Sequence, residues 1–384
     1  MPGTTKKNIL VVFGTRPEAI KMVPVILALR ESEGLRPIVV VTGQHREMLD
    51  QVLVPFGIMP DADLNVMRPS QAVHDVMALV LQKLPAVFRE FSPHMSLVHG
   101  DTTTTLAGAL SAFYSEVPVA HVEAGLRSGS MQAPWPEEMN RRLTAPLCSL
   151  HFAPTENARI NLLREGIPEH SIIVTGNTVI DALMRAEARL ASDIDLQRQM
   201  DERFAFLAPG KRLVLVTGHR RENLGDGFMR VFEAIRTIAA REDVQVVYPV
   251  HLNPGVRGPA LESLSGLPNV YLTEPQPYLP FVYLLKRSAL VLTDSGGVQE
   301  EAPAFGKTVL VMRELTERPE ALALGGNLLV GTDPVRIAGA AFKVLDEEPT
   351  YVTASEASRG PFGDGNASAR IVHALSQFLD ANTL

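Results

Sequence analysis

Two pairs of titratable residues close what read as buried strands: His99-Gly100-Asp101 and His121-Val122-Glu123. The period-two alternation of a strand sets each histidine on the same face as its acid, and consecutive strands of a βαβ unit are commonly neighbours. Such a cluster suits proton transfer or metal binding. It lacks the helical ligand spacing of a zinc site, so proton transfer is the expectation and no metal is assigned. Asp101 has a plainer explanation as the N-cap of the helix that Thr102–Thr105 opens. Glu123, in Glu123-Ala124-Gly125-Leu126-Arg127-Ser128, has none. A third acid, Glu137, sits in Pro134-Trp135-Pro136-Glu137-Glu138-Met139-Asn140-Arg141-Arg142. Surface pairing of Glu137 with Arg141 and Glu138 with Arg142 at i,i+4 accounts for the charges. The two prolines and the tryptophan ahead of them predict a shaped loop, a common home for an acid or base.

Positive charge and glycine gather at other strand ends. Gly14-Thr15-Arg16-Pro17-Glu18 follows the first strand, with Pro17 suited to a first helical turn. Arg16 and Lys21 then either face a ligand near that turn or are solvated helix-start charges, with equal weight. Thr217-Gly218-His219-Arg220-Arg221-Glu222-Asn223 follows another strand, and His219 there is expected to carry charge near neutrality and meet a phosphate. Asp294-Ser295-Gly296-Gly297-Val298-Gln299-Glu300-Glu301 is the sharpest motif. Its serine and glycines leave backbone N–H groups open to a pyrophosphate at a helix N-terminus, and Glu301 lies one turn further in, suited to ribose hydroxyls. A tight turn with an acidic first helical turn explains the glycines but not the ensemble. Gly306-Lys307-Thr308 is no P-loop, because Glu301 stands where the first glycine belongs and a strand follows. Gly225-Asp226-Gly227 and Gly363-Asp364-Gly365 lack the third glycine and preceding strand of a dinucleotide fingerprint, so no bound NAD and no other cofactor is expected.

The elements that must carry these residues alternate. Ile9–Phe13, Pro37–Val41, Ser96–His99 and Val117–Val122 read as buried parallel strands, with helices near 17–32, 70–91 and 103–115. A strand at Ile173–Asn177 and a helix at Thr178–Leu190 follow, and Ala191–Pro209 reads as a polar connecting segment. Alternation restarts with strands at Leu213–Thr217, Gln245–Pro249, Val270–Leu272, Ala289–Thr293, Thr308–Met312 and Leu328–Val330, and ends on a helix over Ser368–Leu379. With 384 residues, 46% hydrophobic and 21% charged, the chain is expected to hold two globular α/β domains. A net charge of −7 argues against nucleic acid. The single cysteine, Cys148, allows no intrachain disulfide and reads as a small hydrophobe. Without a signal-like segment or an apolar run of membrane-spanning length, a cytoplasmic protein that binds no membrane is expected.

In order along the chain, GTRPEAIKMVPV, TGQH, HGDTTTT, HVEAGLRSG, PWPEEMNRRL, TGNTVIDAL, TGHRREN, PVHLNP, DSGGVQEEAP and TERPEAL resemble the non-hydrolysing UDP-N-acetylglucosamine 2-epimerases of bacteria, from about Asn8 to His373. The resemblance implies two Rossmann-like domains of the glycosyltransferase-B type with an interdomain active-site cleft. The N-terminal one covers 1–180 and is joined by the C-terminal helix 366–384; the UDP-binding one covers 181–365. It implies a homodimer that interconverts UDP-N-acetylglucosamine and UDP-N-acetylmannosamine for envelope polysaccharide. Asp101, Glu123 and Glu137 become the acid/base carboxylates, with His219 near the phosphates. Arg16, Lys21, Arg141 and Arg318 contact substrate, Gln276 and Phe281 lie against uracil, Ser295, Gly296 and Gly297 hold the diphosphate, and Glu301 takes the ribose. Bacterial members are activated by substrate at a second site near TGQH, where Gln44 and His45 match. The stretch Leu322–Asn327 departs from the family's pattern.

The proton at C2 of the sugar is not next to a carbonyl, so simple removal is too costly. Expulsion of UDP from C1 while a base takes that proton gives 2-acetamidoglucal, and re-addition with protonation on the other face gives the epimer. This route needs cations on the leaving diphosphate and two titratable carboxylates at C1–C2. Asp101 and Glu137 are the expected pair, with Glu123 assisting. A glycosyltransferase of the same fold, or a hydrolysing epimerase, is the alternative reading.

Overall fold

The computed structural model describes residues 6–43, 46–68, 71–132, 134–316, 318–323, 326–346 and 360–382. The chain forms two compact units, Met1–Ala182 with Phe362–Leu384, and Leu183–Pro361.

In the first unit β1 (Lys7–Phe13), β2 (Leu35–Val41), β3 (Ala62–Asp63), β4 (Met95–His99), β5 (Val119–Val122), β6 (Leu150–Ala153) and β7 (Ile172–Val174) form one parallel sheet. Their order is β3-β2-β1-β4-β5-β6-β7. Ile9 to Phe13 are wholly buried, as a central strand covered on both faces must be. On one face Ile9, Val11 and Phe13 pack with Met22 and Ile26 of α1 (Arg16–Glu31) and with Ile371 and Leu375 of the C-terminal helix Ala367–Ala381. After α2 (Arg46–Leu53) come α3 (Val73–Phe91) and α4 (Thr103–Tyr114), which cover the other face: Leu10 and Val12 meet Val80, Leu84 and Ala109. Asp181 anchors the returning helix by accepting from the N–H groups of Ala367 and Ser368 at 3.2 and 2.7 Å. Then come α5 (Glu137–Thr144), α6 (Glu156–Arg164) and α7 (Thr178–Ser192).

Two local expectations are corrected. The N-cap of α4 is Thr102, not Asp101: the Thr102 hydroxyl accepts from Thr105 N–H, which releases the Asp101 carboxylate for a partner. Residues 191–209 are not a mere connector, because Asp193 caps α8 (Ile194–Arg203), whose N–H at Leu196 it accepts. Only Met200 of that helix is buried, so its periodicity is faint in the sequence.

In the second unit β8 (Arg212–Thr217), β9 (Val244–Pro249), β10 (Val270–Thr273), β11 (Ser288–Thr293), β12 (Val309–Val311) and β13 (Asn327–Leu329) pair in parallel, in the order β10-β9-β8-β11-β12-β13. Around them lie α9 (Asp226–Ala239), α10 (Pro254–Leu264), α11 (Tyr278–Arg287), α12 (Gly296–Ala304), α13 (Pro319–Ala323) and α14 (Pro334–Asp346). Val214, Val216, Phe232, Tyr248 and Leu292 form its core with Ile337 and Ala341 of α14. Both sheets are Rossmann-like, and each reverses its winding once, at β1/β4 and at β8/β11. At such a switch point the flanking connections part on opposite faces, leaving a crevice at the carboxyl ends of the strands. Among the described residues no helix is long and apolar enough to cross a membrane.

Candidate active site

At the first switch point, Thr15 and Glu18 form a capping box. Glu18 accepts from Gly14 N–H and Thr15 N–H at 3.0 and 2.7 Å, and from the Thr102 hydroxyl at 2.8 Å. One buried carboxylate thus binds the turn after β1 to the turn after β4. Burial raises its pKa, and those donors work against the rise. Arg16, the first residue of α1, is half-buried. Lys21, nearly one turn and a half along α1, is buried and ion-paired to Glu123 Oε2.

Glu123 follows β5 with φ of +65°, a left-handed backbone that side chains with a Cβ seldom adopt. Strain of that kind persists only where the surroundings over-determine it, and here Lys21 and Asn177 Nδ2, the latter at 2.8 Å, both hold Oε2. His99 Nε2 stands 4.0 Å from the same oxygen. Two residues on, Gly125 (φ +89°) could carry no side chain, since a Cβ would lie 2.2 Å from Ala158 O.

The neighbouring strand end holds Asp101. Arg141 reaches its Oδ2 with Nε and Nη2 at 3.0 and 2.6 Å, while Asn140 Nδ2 bonds its backbone carbonyl at 2.8 Å. The sequence paired Arg141 with Glu137; instead Glu138 takes both arginines, Arg141 Nη1 at 3.0 Å and Arg142 Nε at 3.3 Å. Three residues along a helix is as near as four, and Glu138 is the acid that faces inward. Burial opposes its charge, yet Ser128 N–H and Arg141 outweigh burial and hold its carboxyl below the usual range. Glu137, relieved of that pairing, begins α5, and its Oε2 is buried with no hydrogen-bond partner among the described residues. A buried unbonded carboxylate oxygen is costly, which marks Glu137 as poised for something other than stability.

The two histidines face inward and are neutral at neutral pH. Burial pushes His99 down to about 4 and His121 to about 3; His121 Nε2 lies 2.7 Å from Gly100 O and props the turn. Their folded pKa values lie below the ordinary 6.5, so the unfolded chain takes up protons first as pH falls. Stability is full above pH 6.5 and lost from there down to about pH 4 for His99 and about pH 3 for His121. At pH 5 each imidazole should cost about 2 kcal/mol. Urea unfolding at pH 7 and pH 5 reads this, with His121→Gln expected to flatten the loss; an equally stable wild type at both pH values would refute it. Among the described residues no three His, Cys, Asp or Glu side chains are grouped to hold a metal.

At the second switch point Asp294, fully buried after β11, accepts from His219 N–H and Arg220 N–H at 2.8 Å each, so one carboxylate shapes the turn after β8. His219 Nδ1 lies 3.6 Å from Asp294 Oδ1, and its ring stacks on His251 with centroids 5.3 Å apart. Burial lowers the His219 pKa while Asp294 pulls the other way. Charge near neutrality is therefore disfavoured, because His219 is held below its ordinary value.

Ser295 is the N-cap of α12 and makes no side-chain cap, leaving the first-turn N–H groups to an incoming acceptor. Arg318 packs on this turn: a Cβ at Gly296 would stand 2.7 Å from Arg318 Nη1, whereas one at Gly297 would meet nothing within 4 Å. The guanidinium is fixed by Glu300 Oε1, 2.7 Å from its Nε, and both side chains are buried. A helix dipole, open amides and a clamped cation are an arrangement able to take an anion. Glu301 Oε1 accepts from the Tyr278 hydroxyl at 3.1 Å at the head of α11. Gln276 is buried just ahead of that helix and accepts from Arg203 Nε at 2.9 Å; Phe281, in the helix's first turn, is half-buried.

The structure thus gathers Lys21, Asp101, Glu123 and Arg141 at the ends of β4 and β5 in the first unit, with Glu137 on the helix that carries Arg141. In the second unit Ser295, Gly296, Gly297 and Arg318 cluster at α12, with Glu301 beside Tyr278. Gln44 and His45 lie outside the described residues. Glu18, Asp294 and Glu300 lie within the quoted motifs but were given no role, and Glu138 was expected only to pair with Arg142; all four are buried, and nothing in the spacing marks that beforehand.

A family model described as UDP-N-acetylglucosamine 2-epimerase matches residues 27–376. A UDP-N-acetylglucosamine 2-epimerase of Salmonella typhimurium is 53% identical over 372 residues, 97% of this chain and 99% of that one. The crystal structure of the Neisseria meningitidis UDP-GlcNAc 2-epimerase bound to UDP-GlcNAc superposes with a TM-score of 0.89 at 49% identity, covering 96% of this chain and all of that one. That from Methanocaldococcus jannaschii, in complex with UDP-GlcNAc and UDP, gives 0.80 at 33% identity, covering 96% and 99%. The fold is the glycosyltransferase-B type built of two Rossmann-like units.

Proposed function

The chain belongs to the UDP-N-acetylglucosamine 2-epimerase family of isomerases, and on that premise we propose that it interconverts UDP-N-acetylglucosamine and UDP-N-acetylmannosamine without net hydrolysis. The observation that carries this reading is the division of labour between the units: buried acids with paired cations in the first, an open helix N-terminus with a clamped arginine in the second.

The diphosphate falls to Ser295, Gly296, Gly297 and Arg318, the ribose to Glu301, and the uracil to Gln276 and Phe281. His219 donates to a phosphate as a neutral imidazole. A carboxylate takes the C2 proton as the C1–O bond breaks, and the bonding pair leaves with UDP; C1 and C2 become doubly bonded in 2-acetamidoglucal. UDP then re-adds at C1 while an acid protonates C2 on the opposite face. Asp101 and Glu137 are the proton-transfer pair, and Glu123 assists. Arg141 holds the Asp101 carboxylate in place through Nε and Nη2, and Glu137 has an oxygen unspent on structure. Arg16 and Lys21 supply positive charge on the sugar side as charge builds on the departing diphosphate. The resemblance further supports a homodimer serving cell-envelope polysaccharide synthesis.

The test is UDP-N-acetylglucosamine in D2O with no acceptor present, followed by NMR. Deuterium should enter C2 of both epimers while UDP stays at trace level. Stoichiometric UDP with free N-acetylmannosamine would make the enzyme a hydrolysing epimerase. An absence of exchange would favour a glycosyltransferase.

A further inference from the structure

Asn177 takes no part in the chemistry above, yet it is tied three ways. Its Nδ2 donates to Glu123 Oε2 at 2.8 Å, its Oδ1 accepts from Val179 N–H at 3.0 Å in the first turn of α7, and its own N–H donates to Phe362 O at 2.6 Å. Along α7 the chain leaves the first unit, after Ala182, and at Phe362 it comes back. The two passages touch: a Cβ at Gly176 would lie 3.1 Å from Gly363 Cα. Asn177 is 2% exposed, so its amide is committed to these partners rather than to water.

The oxygen it holds is also the one that takes Lys21 and that faces His99. The other, Oε1, lies over Gly100, 3.8 Å from where a Cβ would be. We infer that Asn177 is a positioning residue for Glu123: it fixes Oε2 beside Lys21, turns Oε1 toward the sugar, and sets that geometry from the place where the chain crosses between units. This rests on the reading of Glu123 as one of the reaction's carboxylates. The position requires an amide, which donates to Glu123 without bringing charge. Among the described residues, the titratable groups Lys21 from α1 and His99 from β4 face Glu123. A second carboxylate about 3 Å away would share one proton with it and raise a pKa.

Asn177→Asp tests this, because it keeps the acceptor for Val179 N–H and aspartate caps helices well. Its UDP affinity should match wild type, and its melting temperature at neutral pH should be somewhat lower, since the raised carboxyl pKa weakens the folded state there. Its kcat should fall about 10- to 100-fold, and the acidic limb of its kcat/KM profile should rise by about 1–2 pH units. A residue that only supported the fold would lower melting and leave the pH profile in place. Asn177→Ser, whose hydroxyl still caps but is too short for Glu123, should lose kcat without raising that limb. Wild-type kcat and pH profile in Asn177→Asp, or wild-type kcat in Asn177→Ser should the former not fold, overturns the inference when Glu123→Gln is inactive. A fully active Glu123→Gln overturns instead the underlying reading of Glu123.

Discussion

Asp101→Asn and Glu137→Gln are each expected to lower kcat by about 10²- to 10⁴-fold while UDP binds as in wild type. The amides keep the shape of the acids and remove only the ability to take or give a proton. The fold should tolerate both. Arg141 loses its charged partner in Asp101→Asn, but its Nη1 still meets the buried Glu138 at 3.0 Å, and Asn140 bonds the backbone of residue 101 rather than its side chain. Glu137 Oε2 bonds nothing among the described residues, so Glu137→Gln breaks no contact there. A thermal melt without ligand separates this outcome from a misfolded first unit, while calorimetric titration with UDP checks the other unit, to which the UDP contacts are assigned. The double amide variant decides the matter: turnover near wild type would take the proton-transfer role from this pair and leave Glu123 to carry it.

A contrast of adjacent glycines gives the second large effect. In Gly296→Ala the new methyl would sit 2.7 Å from Arg318 Nη1 and 2.8 Å from its Cζ. The guanidinium cannot simply withdraw, since it is held by Glu300, and parting a buried pair costs about 3–5 kcal/mol. Gly296→Ala should therefore weaken UDP binding by about 10²-fold or more and lower the melting temperature without ligand. Gly297 has open space in front of its Cα, so Gly297→Ala should melt as wild type does. There the methyl occupies room that the diphosphate needs, and binding should still weaken about tenfold, or about 1.4 kcal/mol. Wild-type UDP affinity in Gly297→Ala would remove the diphosphate from this turn.

Much of this was legible along the chain. Apolar runs such as Ile9–Phe13 and Leu213–Thr217 can only be central strands, because unbroken hydrophobicity over five or six residues demands cover on both faces. Helix α8 was not legible, since a helix that buries little beyond Met200 shows almost no period. Residue types and their place after strands likewise singled out Asp101, Glu123, Glu137, His219 and Ser295–Glu301. What those side chains do to one another was not in the spacing. The i,i+4 rule paired Glu137 with Arg141, but in the fold Glu138 faces inward and Arg141 goes to Asp101, leaving Glu137 Oε2 without a partner among the described residues. His219 was read as able to carry charge near neutrality, and burial lowers its pKa despite the neighbouring Asp294. Periodicity and residue chemistry are properties of neighbours in the chain and were settled there. Desolvation and ion-pair partners depend on groups a hundred residues away or more, as Lys21 is from Glu123, and only the folded packing could decide them.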